Sequence, residues 1–418
     1  MDKIYRLLLL YFFSSSVLFT QQVIQWEQML KEAKEKNLQL KQAEIDLQTT
    51  KLKIEKIKSE LYPRLTFTAS SGKNYFKNFD SDITYSYNLS FSLDLFSGFS
   101  TVNSLKLQLV ELQIVQENQK RILANIISDL KESFINLYFA QQMVELSKKI
   151  LERRKQNYEL VKLKYESGRE DLGSLLRVEA DMLQAEYELK KSQRTRETVI
   201  RELLKIIGEE KFVDLKIDTS VELNSEIEEI INQNVAEIIL QIPEYKISNY
   251  QLAKAQIQAK LAKSNFYPSI SFSAGYGFSD TKPVPDKDKW SLSLSLRASY
   301  NIFNGFRDLT DLKIANNNIK TAEFELYNTK LTLINNFYNL KNNYVDTKEL
   351  LEVKEKYLSA LEKQAEIVSI KYANGLATYY DWYQTEESFI NVQKSLLNLK
   401  KELILSELKL KKFLGWTE

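Results

Sequence analysis

Residues 290–306 read WSLSLSLRASYNIFNGF, and the interpretation of the whole chain depends on this stretch. From Trp290 to Ile302 every second residue is apolar or aromatic, and the residues between them are serine, arginine or asparagine. A period of two residues is that of a β-strand with one apolar and one polar face. The remaining sequence is largely lysine- and glutamate-rich with helical periodicity, so the apolar face of this strand needs an explanation.

The composition indicates a folded chain made of long elements. The 418 residues are 44% apolar and 27% charged, but they include only 10 glycines and 5 prolines. An average chain of this length would contain roughly 30 glycines and 20 prolines, so this one has few turns. Its 58 basic and 56 acidic residues are mixed along the chain, which gives no electrostatic basis for binding nucleic acid.

Cysteine and histidine are both absent, which excludes several kinds of site. Thiol nucleophiles, Cys/His zinc sites and histidine-dependent triads all need residues that the chain lacks. Gly275-Tyr276-Gly277 lies inside an alternating strand and lacks the third glycine of a dinucleotide-binding loop. We therefore expect no enzyme activity, no cofactor and no metal site.

The N-terminus has the order of a secretory signal peptide. Lys3 and Arg6 precede an apolar run from Leu7 to Phe13, and SSSVLFT follows at residues 14–20, although its last residues are a poor small-x-small cleavage site. The run is too short for a transmembrane helix. We assign residues 1–20 to a signal peptide that directs export.

The chain repeats one unit. LFSGF at 95–99 recurs as IFNGF at 302–306, and KYESG at 164–168 recurs as KYANG at 371–375. The offset is 302 − 95 = 207 in the first case and 371 − 164 = 207 in the second. A fixed offset over separate motifs indicates internal duplication. We predict two repeats, residues 21–208 and 209–418.

Each repeat is predicted to run helix, strand, strand, long helix, turn and return helix. The bounds are 26–61, 65–76, 83–96, 100–167 and 172–207 in the first repeat, and 225–266, 269–279, 290–303, 307–373 and 378–413 in the second. Apolar residues recur every seven positions in the long helices, which indicates supercoiled neighbours. Over 100–167 the helix would be about 100 Å long. The fold class is mainly α with β: long antiparallel coiled-coil hairpins plus four strands.

Two interpretations of the strands compete. A soluble sandwich would need a second sheet, but each repeat offers one isolated hairpin, which is marginal in water. In an outer-membrane barrel the apolar face meets lipid and the Ser/Thr/Asn face lines a wet lumen. Strands of about ten residues cross the hydrocarbon, so the lengths favour the barrel. The residues predicted to face lipid include Leu89, Phe91, Leu93, Leu292, Leu294 and Leu296.

Barrel closure sets the number of chains. Four strands cannot close a barrel alone, and open edges cannot lie in lipid. Two chains would give eight strands with an interior filled by side chains, whereas three would give twelve strands and room for a lumen. A conduit therefore needs at least three chains.

These motifs together resemble one family. Tyr-Pro before a strand at Tyr62 and Tyr267, the Phe-x-Gly-Phe strand exit and Tyr-x-x-Gly at each helical turn are similar to the TolC-type outer-membrane efflux proteins, across residues 22–418. The resemblance implies a homotrimer with a twelve-stranded barrel in the outer membrane and a twelve-helix tunnel through the periplasm. It also implies passive export, with a periplasmic adaptor and an inner-membrane transporter as partners.

The resemblance implies that the adaptor docks at the two helical turns. Family members often carry Val-Gly-Leu or Val-Gly-Thr there, whereas this chain keeps only the glycines. The residues at these tips are Ser167, Gly168, Arg169, Asn374, Gly375 and Leu376. Left-handed helix ends are a sufficient structural reason for both glycines, and the docking role is compatible with it.

The resemblance also implies a periplasmic gate just beyond each turn. Family members commonly have Asp at the positions of Asp381, Gln384 and Ser174. Three Asp381 carboxylates on a threefold axis would form a cation-binding ring. The alternative is that Asp381 is a solvated residue near a helix start. Tyr165 and Tyr372 are positioned either to hydrogen-bond across hairpins or to fill heptad positions.

Other function classes remain as alternatives. A periplasmic or surface coiled-coil scaffold would explain the heptads but not the strands. The adaptor itself would have one coiled-coil hairpin flanked by compact β-domains rather than two similar halves. The sequence does not distinguish small-molecule efflux from type I protein secretion, and it does not name the cargo.

Overall fold

The computed structural model describes residues 22–23, 26–76, 79–80, 82–217, 234–284 and 286–414. The expected signal peptide at 1–20 and the first part of the helix predicted at 225–266 lie outside the described residues. The described residues contain eight α-helices: α1 (Trp26–Lys36), α2 (Leu38–Ser59), α3 (Ser100–Glu166), α4 (Leu172–Ile207), α5 (Val235–Gln241), α6 (Pro243–Ser264), α7 (Arg307–Ala373) and α8 (Tyr379–Phe413). Their strands are β1 (Gln22–Val23), β2 (Arg64–Gly72), β3 (Tyr75–Phe76), β4 (Phe79–Asp80), β5 (Thr84–Ser97), β6 (Leu215–Lys216), β7 (Ser269–Asp280) and β8 (Trp290–Ser299).

Two predicted helices are each divided in the structure. The helix predicted at 26–61 breaks at Asn37, whose side chain donates a hydrogen bond to the backbone carbonyl of Ile206 at 3.1 Å. Asparagine favours such local breaks because its amide competes with the helical backbone. In the second repeat Pro243 starts α6 and Ile242 before it is extended, with φ −66° and ψ 134°. Proline lacks an N–H and disfavours the α region in the preceding residue.

Two predicted strands are longer than the observed ones. The strand predicted at 290–303 ends at Ser299, because its last partner is Ser269 and Pro268 before that residue has no N–H to extend the ladder. The strand predicted at 65–76 ends as β2 at Gly72, opposite Thr84 where β5 begins.

The chain forms two compact units. The first comprises the described residues within 1–38, 123–233 and 336–418, and the second those within 39–122 and 234–335. Both 67-residue helices, α3 and α7, contribute residues to each unit. No α-helix in the described ranges is both long and apolar enough to cross a bilayer.

The core of the first unit lies where α1, α3 and α4 meet the segment around β6. Its fully buried side chains include Met29, Leu130, Leu137, Ile200 and Leu203. Leu130 and Leu137 are seven residues apart on α3, as the heptad pattern predicts. Strand β1 pairs in parallel with β6 beside this core.

The second unit contains a four-stranded antiparallel sheet in the order β2-β5-β7-β8. Directly opposite residues share a face, and Leu89 lies opposite both Phe67 and Tyr276, while Leu294 lies opposite Ala274. One face is therefore mainly apolar over all four strands, and the other carries mainly Ser, Thr, Asn and Gly. The apolar face is uncovered at β8, where Leu294 is 66% exposed.

A β-bulge changes the pattern at the end of β5. The register shifts between Asp94 and Phe96, so that Phe96 rather than Leu95 lies opposite Ile270 on the apolar face. Continuing the period of two from Leu93 would place Leu95 on this face, but a bulge adds one residue to one strand of a pair and puts Phe96 there instead.

Equivalent junctions lead from β5 to α3 and from β8 to α7. Gly98 and Phe99 both have positive φ, at 61° and 67°, and Gly305 and Phe306 repeat this at 69° and 64°. The surroundings of the two glycines differ. A Cβ at Gly98 would lie 2.5 Å from the backbone oxygen of Ser264, whereas a Cβ at Gly305 would meet nothing within 4 Å.

We predict that Gly98→Ala destabilises the protein more than Gly305→Ala. Both changes force alanine into a left-handed conformation, which costs about 1–2 kcal/mol. Only the first also pushes a methyl group into a helix backbone. Thermal unfolding of detergent-purified protein, followed by circular dichroism, should show the lower midpoint for Gly98→Ala. Equal midpoints would mean that the contact with Ser264 is not tight.

Candidate functional site

The turns between α3 and α4 and between α7 and α8 have the same backbone hydrogen bonds. Arg169 N–H donates to the Lys164 carbonyl at 2.8 Å, and Gly168 N–H donates to the Tyr165 carbonyl at 2.9 Å. Leu376 and Gly375 donate to Lys371 and Tyr372 in the same way, at 2.8 and 3.1 Å. This is the Schellman arrangement, which ends a helix at a left-handed residue. Gly168 and Gly375 supply it with φ of 70° and 77°.

Both return helices begin with a capping arrangement. Asp171 accepts hydrogen bonds from the backbone N–H of Ser174 at 2.9 Å and from its hydroxyl at 3.1 Å. At α8 the Thr378 hydroxyl accepts from Asp381 N–H at 3.1 Å and donates to the Asp381 carboxylate at 2.7 Å. The Ser174 backbone N–H is the main reason that the pKa of Asp171 lies below its ordinary value. Ser174 and Asp381 therefore both act in helix capping.

The predicted docking residues are accessible. Their members Ser167, Gly168, Arg169, Asn374, Gly375 and Leu376 are all exposed. Leu376 is 78% exposed. The Ser167 and Asn374 side chains instead donate to the Lys164 and Ile370 carbonyls at the helix ends. The two turns thus present short polar surfaces, with one apolar side chain on the second.

Tyr165 and Tyr372 occupy the same position in the two Tyr-x-x-Gly motifs, but their surroundings differ. Tyr165 is 38% exposed, whereas Tyr372 is 2% exposed and stacks on Trp382 with ring centroids 4.6 Å apart. The Tyr372 hydroxyl donates to the Glu170 carboxylate at 2.6 Å, and the Lys164 ammonium lies 4.5 Å from the centre of its ring. Burial, followed by the hydrogen bond to Glu170, raises the pKa of Tyr372.

Tyr372 therefore links the two helical hairpins. Glu170 belongs to the turn after α3, whereas Tyr372 lies in the last turn of α7. The side chains of Val161 and Val178 from the first hairpin and Trp382 from the second bury the ring. Of the predicted gate residues, Tyr372 contacts the opposite hairpin and Ser174 is buried, whereas Asp381 and Gln384 are exposed.

A buried carboxylate that the sequence analysis did not identify lies behind this contact. Glu386 is 1% exposed and accepts two hydrogen bonds of 2.6 Å from the Arg153 guanidinium. Asn157 donates to it at 3.2 Å and Ser369 at 3.1 Å, and Ser369 in turn accepts from the Trp382 indole at 3.1 Å. Burial alone would raise the pKa of Glu386, but the hydrogen bonds and charge of Arg153 hold it below its ordinary value.

Three further polar contacts join α3 and α4 of the first hairpin to α8 of the second. Arg177 donates to the Tyr383 hydroxyl at 2.9 and 3.0 Å, and ion pairs join Arg154 to Glu387 and Lys394 to Glu188. One feature of the sequence could have identified this set of contacts: a charged residue stands among the apolar heptad positions that face the core. Glu386 follows Trp382 by four residues and precedes Phe389 by three.

The charged groups of this site are arranged as pairs. Among the described residues, no group of three or more His, Cys, Asp or Glu side chains could hold a metal ion. The charged pairs of this site join the two hairpins, and the turns beyond them are exposed.

We predict that Glu386→Gln lowers the free energy of unfolding by about 1.5–3 kcal/mol, the range for hydrogen bonds to charged groups. Glu355→Gln is the matched control. Glu355 pairs with Lys400 at 3.0 Å, but both side chains are nearly half exposed, so its loss should cost at most about 1 kcal/mol. Denaturant unfolding of both variants measures the difference, and equal losses would contradict the buried role.

The effect should depend on pH. Because the folded-state pKa of Glu386 lies below its ordinary value of 4.5, its stabilisation is fully present above about pH 4.5. It is lost as the pH falls through the folded-state pKa, where the carboxylate is protonated. The difference in stability between native protein and Glu386→Gln should therefore shrink below pH 4.5.

Comparison with known proteins gives one family. A family model described as outer membrane efflux protein matches residues 29–209 and 240–416. The chain is 21% identical over 408 residues to the probable outer membrane lipoprotein SilC of Salmonella typhimurium, covering 94% of this chain and 87% of SilC. It is 20% identical over 396 residues to the cation efflux system protein CusC of Escherichia coli O157:H7, covering 93% of this chain and 85% of CusC.

The fold agrees with solved structures of such channels. A crystal structure of CusC superposes with a TM-score of 0.84 at 18% identity, covering 95% of this chain and 96% of CusC. The family match covers well over half of the sequence and both halves of the chain. The chain belongs to the outer membrane efflux protein family.

Proposed function

We propose that the protein forms a homotrimeric exit duct through the outer membrane for an efflux pump or a type I secretion system. The observation that carries this proposal is the four-stranded sheet, which has one uncovered apolar face, one polar face and an unpaired edge on both β2 and β8 in the described residues. A sheet of this kind suits a barrel wall between lipid and a wet lumen.

Three chains account for the open edges. Pairing β8 of one copy with β2 of the next would give twelve strands in a closed barrel, and α3, α4, α7 and α8 would give twelve helices in a periplasmic tunnel. Eight strands from two copies would leave no lumen. The equal lengths of α3 and α7 and the matching junctions at Gly98 and Gly305 support an internal duplication over 21–208 and 209–418.

The exposed turns are the proposed docking surface for a periplasmic adaptor, and an inner-membrane transporter would supply the energy. The exposure of Arg169 and Leu376 supports this assignment. The chain itself would act passively and without catalysis.

The proposed gate lies beside these turns and comprises Asp381, Gln384, Tyr372, Tyr165 and Ser174. Tyr372 and Glu170 hold the two hairpins together within one chain. Asp381 is exposed, so three copies remain free to form a cation-binding ring while each also caps its helix. Such a ring would lie at the closed end of the tunnel.

The alternative is a periplasmic or surface coiled-coil scaffold without a pore. It accounts for the helices but leaves the apolar face of β8 in water, where patches of this kind are rare on soluble monomers. Membrane fractionation, detergent sizing and cross-linking distinguish the two. A water-soluble monomer in the periplasm would eliminate the duct.

We predict that Leu294→Arg sharply reduces assembled outer-membrane trimer, whereas Ser293→Arg is tolerated. The first puts a charge on the lipid face, at a cost of about 2–4 kcal/mol near the bilayer midplane. The second puts the same charge on the polar face one residue away. Quantifying trimer in outer-membrane fractions measures both, and equal loss would mean that the two faces are misassigned.

We predict that Tyr372→Phe raises single-channel conductance in planar bilayers. The change removes the hydrogen bond to Glu170 but keeps the ring on Trp382. Losing a hydrogen bond to a charged group costs about 1.5–3 kcal/mol, or roughly ten- to a hundredfold in the ratio of closed to open states. Tyr380→Phe is the control, because that side chain is exposed on the same helix end. Equal conductance in both variants would remove Tyr372 from the gate.

A further inference from the structure

The polar face of the four-stranded sheet is almost free of charge. Pairs that face each other on it include Thr66 with Ser90, Ser92 with Ser273, and Gly275 with Ser293. Apart from three positions, every residue of β2, β5, β7 and β8 on this face is Ser, Thr, Asn or Gly. The three exceptions are Arg64, Asp94 and Arg297.

All three charges lie at the same end of the sheet. Asp94 is opposite Ser271, and Ser271 is opposite Arg297, so these two charges share one row across three strands. Arg64 is opposite Ser92, one row away. This is the end where β2 begins after α2, β5 leads into α3 and β8 leads towards α7.

The charges are spread over three strands, and none of them lies directly opposite another. Neighbouring strands are about 4.8 Å apart, so the Asp94 and Arg297 backbones are separated by about 10 Å. All three side chains are exposed, and within the described ranges none of them forms an ion pair. Their fields therefore extend into the space that the polar face borders.

We infer that Arg64, Asp94 and Arg297 form a charged collar inside the barrel, at its junction with the tunnel. This inference rests on the proposed trimeric barrel. Two positive charges and one negative charge per chain leave a net positive ring of three after threefold repetition. Rings of charge on a pore wall select by sign, because low-dielectric walls concentrate the field in the lumen.

The net positive charge of the collar determines which class of solute it would favour. Anionic or amphiphilic solutes with an acidic group should be concentrated at the collar, and multivalent cations should be depleted there. The neutral hydroxyl face beyond it would add hydrogen bonds without further charge selection. The collar, at one height of the barrel wall, would then determine which solutes the barrel prefers.

The absence of cysteine from the chain allows a local test. Single reporters, Ser295→Cys and Ser291→Cys, are introduced into the full-length protein reconstituted in lipid vesicles. Each is labelled with an anionic and with a cationic methanethiosulfonate reagent of similar size, and the ratio of the two rates reports the local potential. Ser295 is two residues from Arg297 on β8, whereas Ser291 is six residues away, about 20 Å, which exceeds the Debye length of about 8 Å.

Removing the positive charge should act on the near reporter only. In an Arg297→Gln background the anionic-to-cationic rate ratio at Ser295→Cys should fall about two- to tenfold, whereas at Ser291→Cys it should stay within experimental error. Arg297→Lys keeps the charge and should leave the ratio unchanged. Asp94→Asn should move the ratio in the opposite direction, which provides an independent result if Arg297→Gln does not assemble.

An unchanged ratio at Ser295→Cys in both Arg297→Gln and Asp94→Asn would overturn the collar while leaving the barrel intact. A separate reporter, Leu294→Cys, tests the barrel itself and should resist both reagents because it faces lipid. Equal labelling of Leu294→Cys and Ser295→Cys would instead refute the proposed barrel, and the collar with it.

Discussion

The open edges of a sheet with one apolar face are the constraint on which the rest of the structure depends. Strands β2 and β8 each have one hydrogen-bonded neighbour in the described residues. In hydrocarbon an unpaired backbone N–H or C=O costs several kcal/mol, and in water the apolar face of the sheet would stay uncovered. Neither solvent suits a single copy, and this is the physical reason for which we propose that copies associate edge to edge.

The helical part of the chain has a different requirement. Long amphipathic helices can pack against one another in several registers, and one register must be selected. A buried charge restricts that choice, since removing its partner is strongly destabilising. Glu386 meets its hydrogen-bonding needs only when Arg153, Asn157 and Ser369 from α3 and α7 lie beside it. We interpret this cluster as the element that fixes which helices pair behind the tip, while Tyr372 and Glu170 make the contact at the tip itself.

Local chemistry could be predicted well from the sequence. The period of two residues assigned Leu294 and Ser293 to opposite faces of β8, and the register with β7 is consistent with that assignment. The helix-ending glycines at 168 and 375 and the starts of the return helices also followed from short-range rules. The bulge after Asp94 could not be predicted, because the residues around it keep alternating in the sequence and only the pairing with β7 reveals the shift.

By itself, the sequence determined the strand faces, the heptads and the ends of the long helices, because each depends on residues within a few positions of one another. The tertiary structure decided which members of a repeated motif are functional candidates. Tyr165 and Tyr372 occupy the same place in the same motif, yet only Tyr372 is buried, because Trp382 and Glu170 reach it from two different hairpins. The contact with Glu170 joins residues 202 positions apart, and no local pattern encodes it.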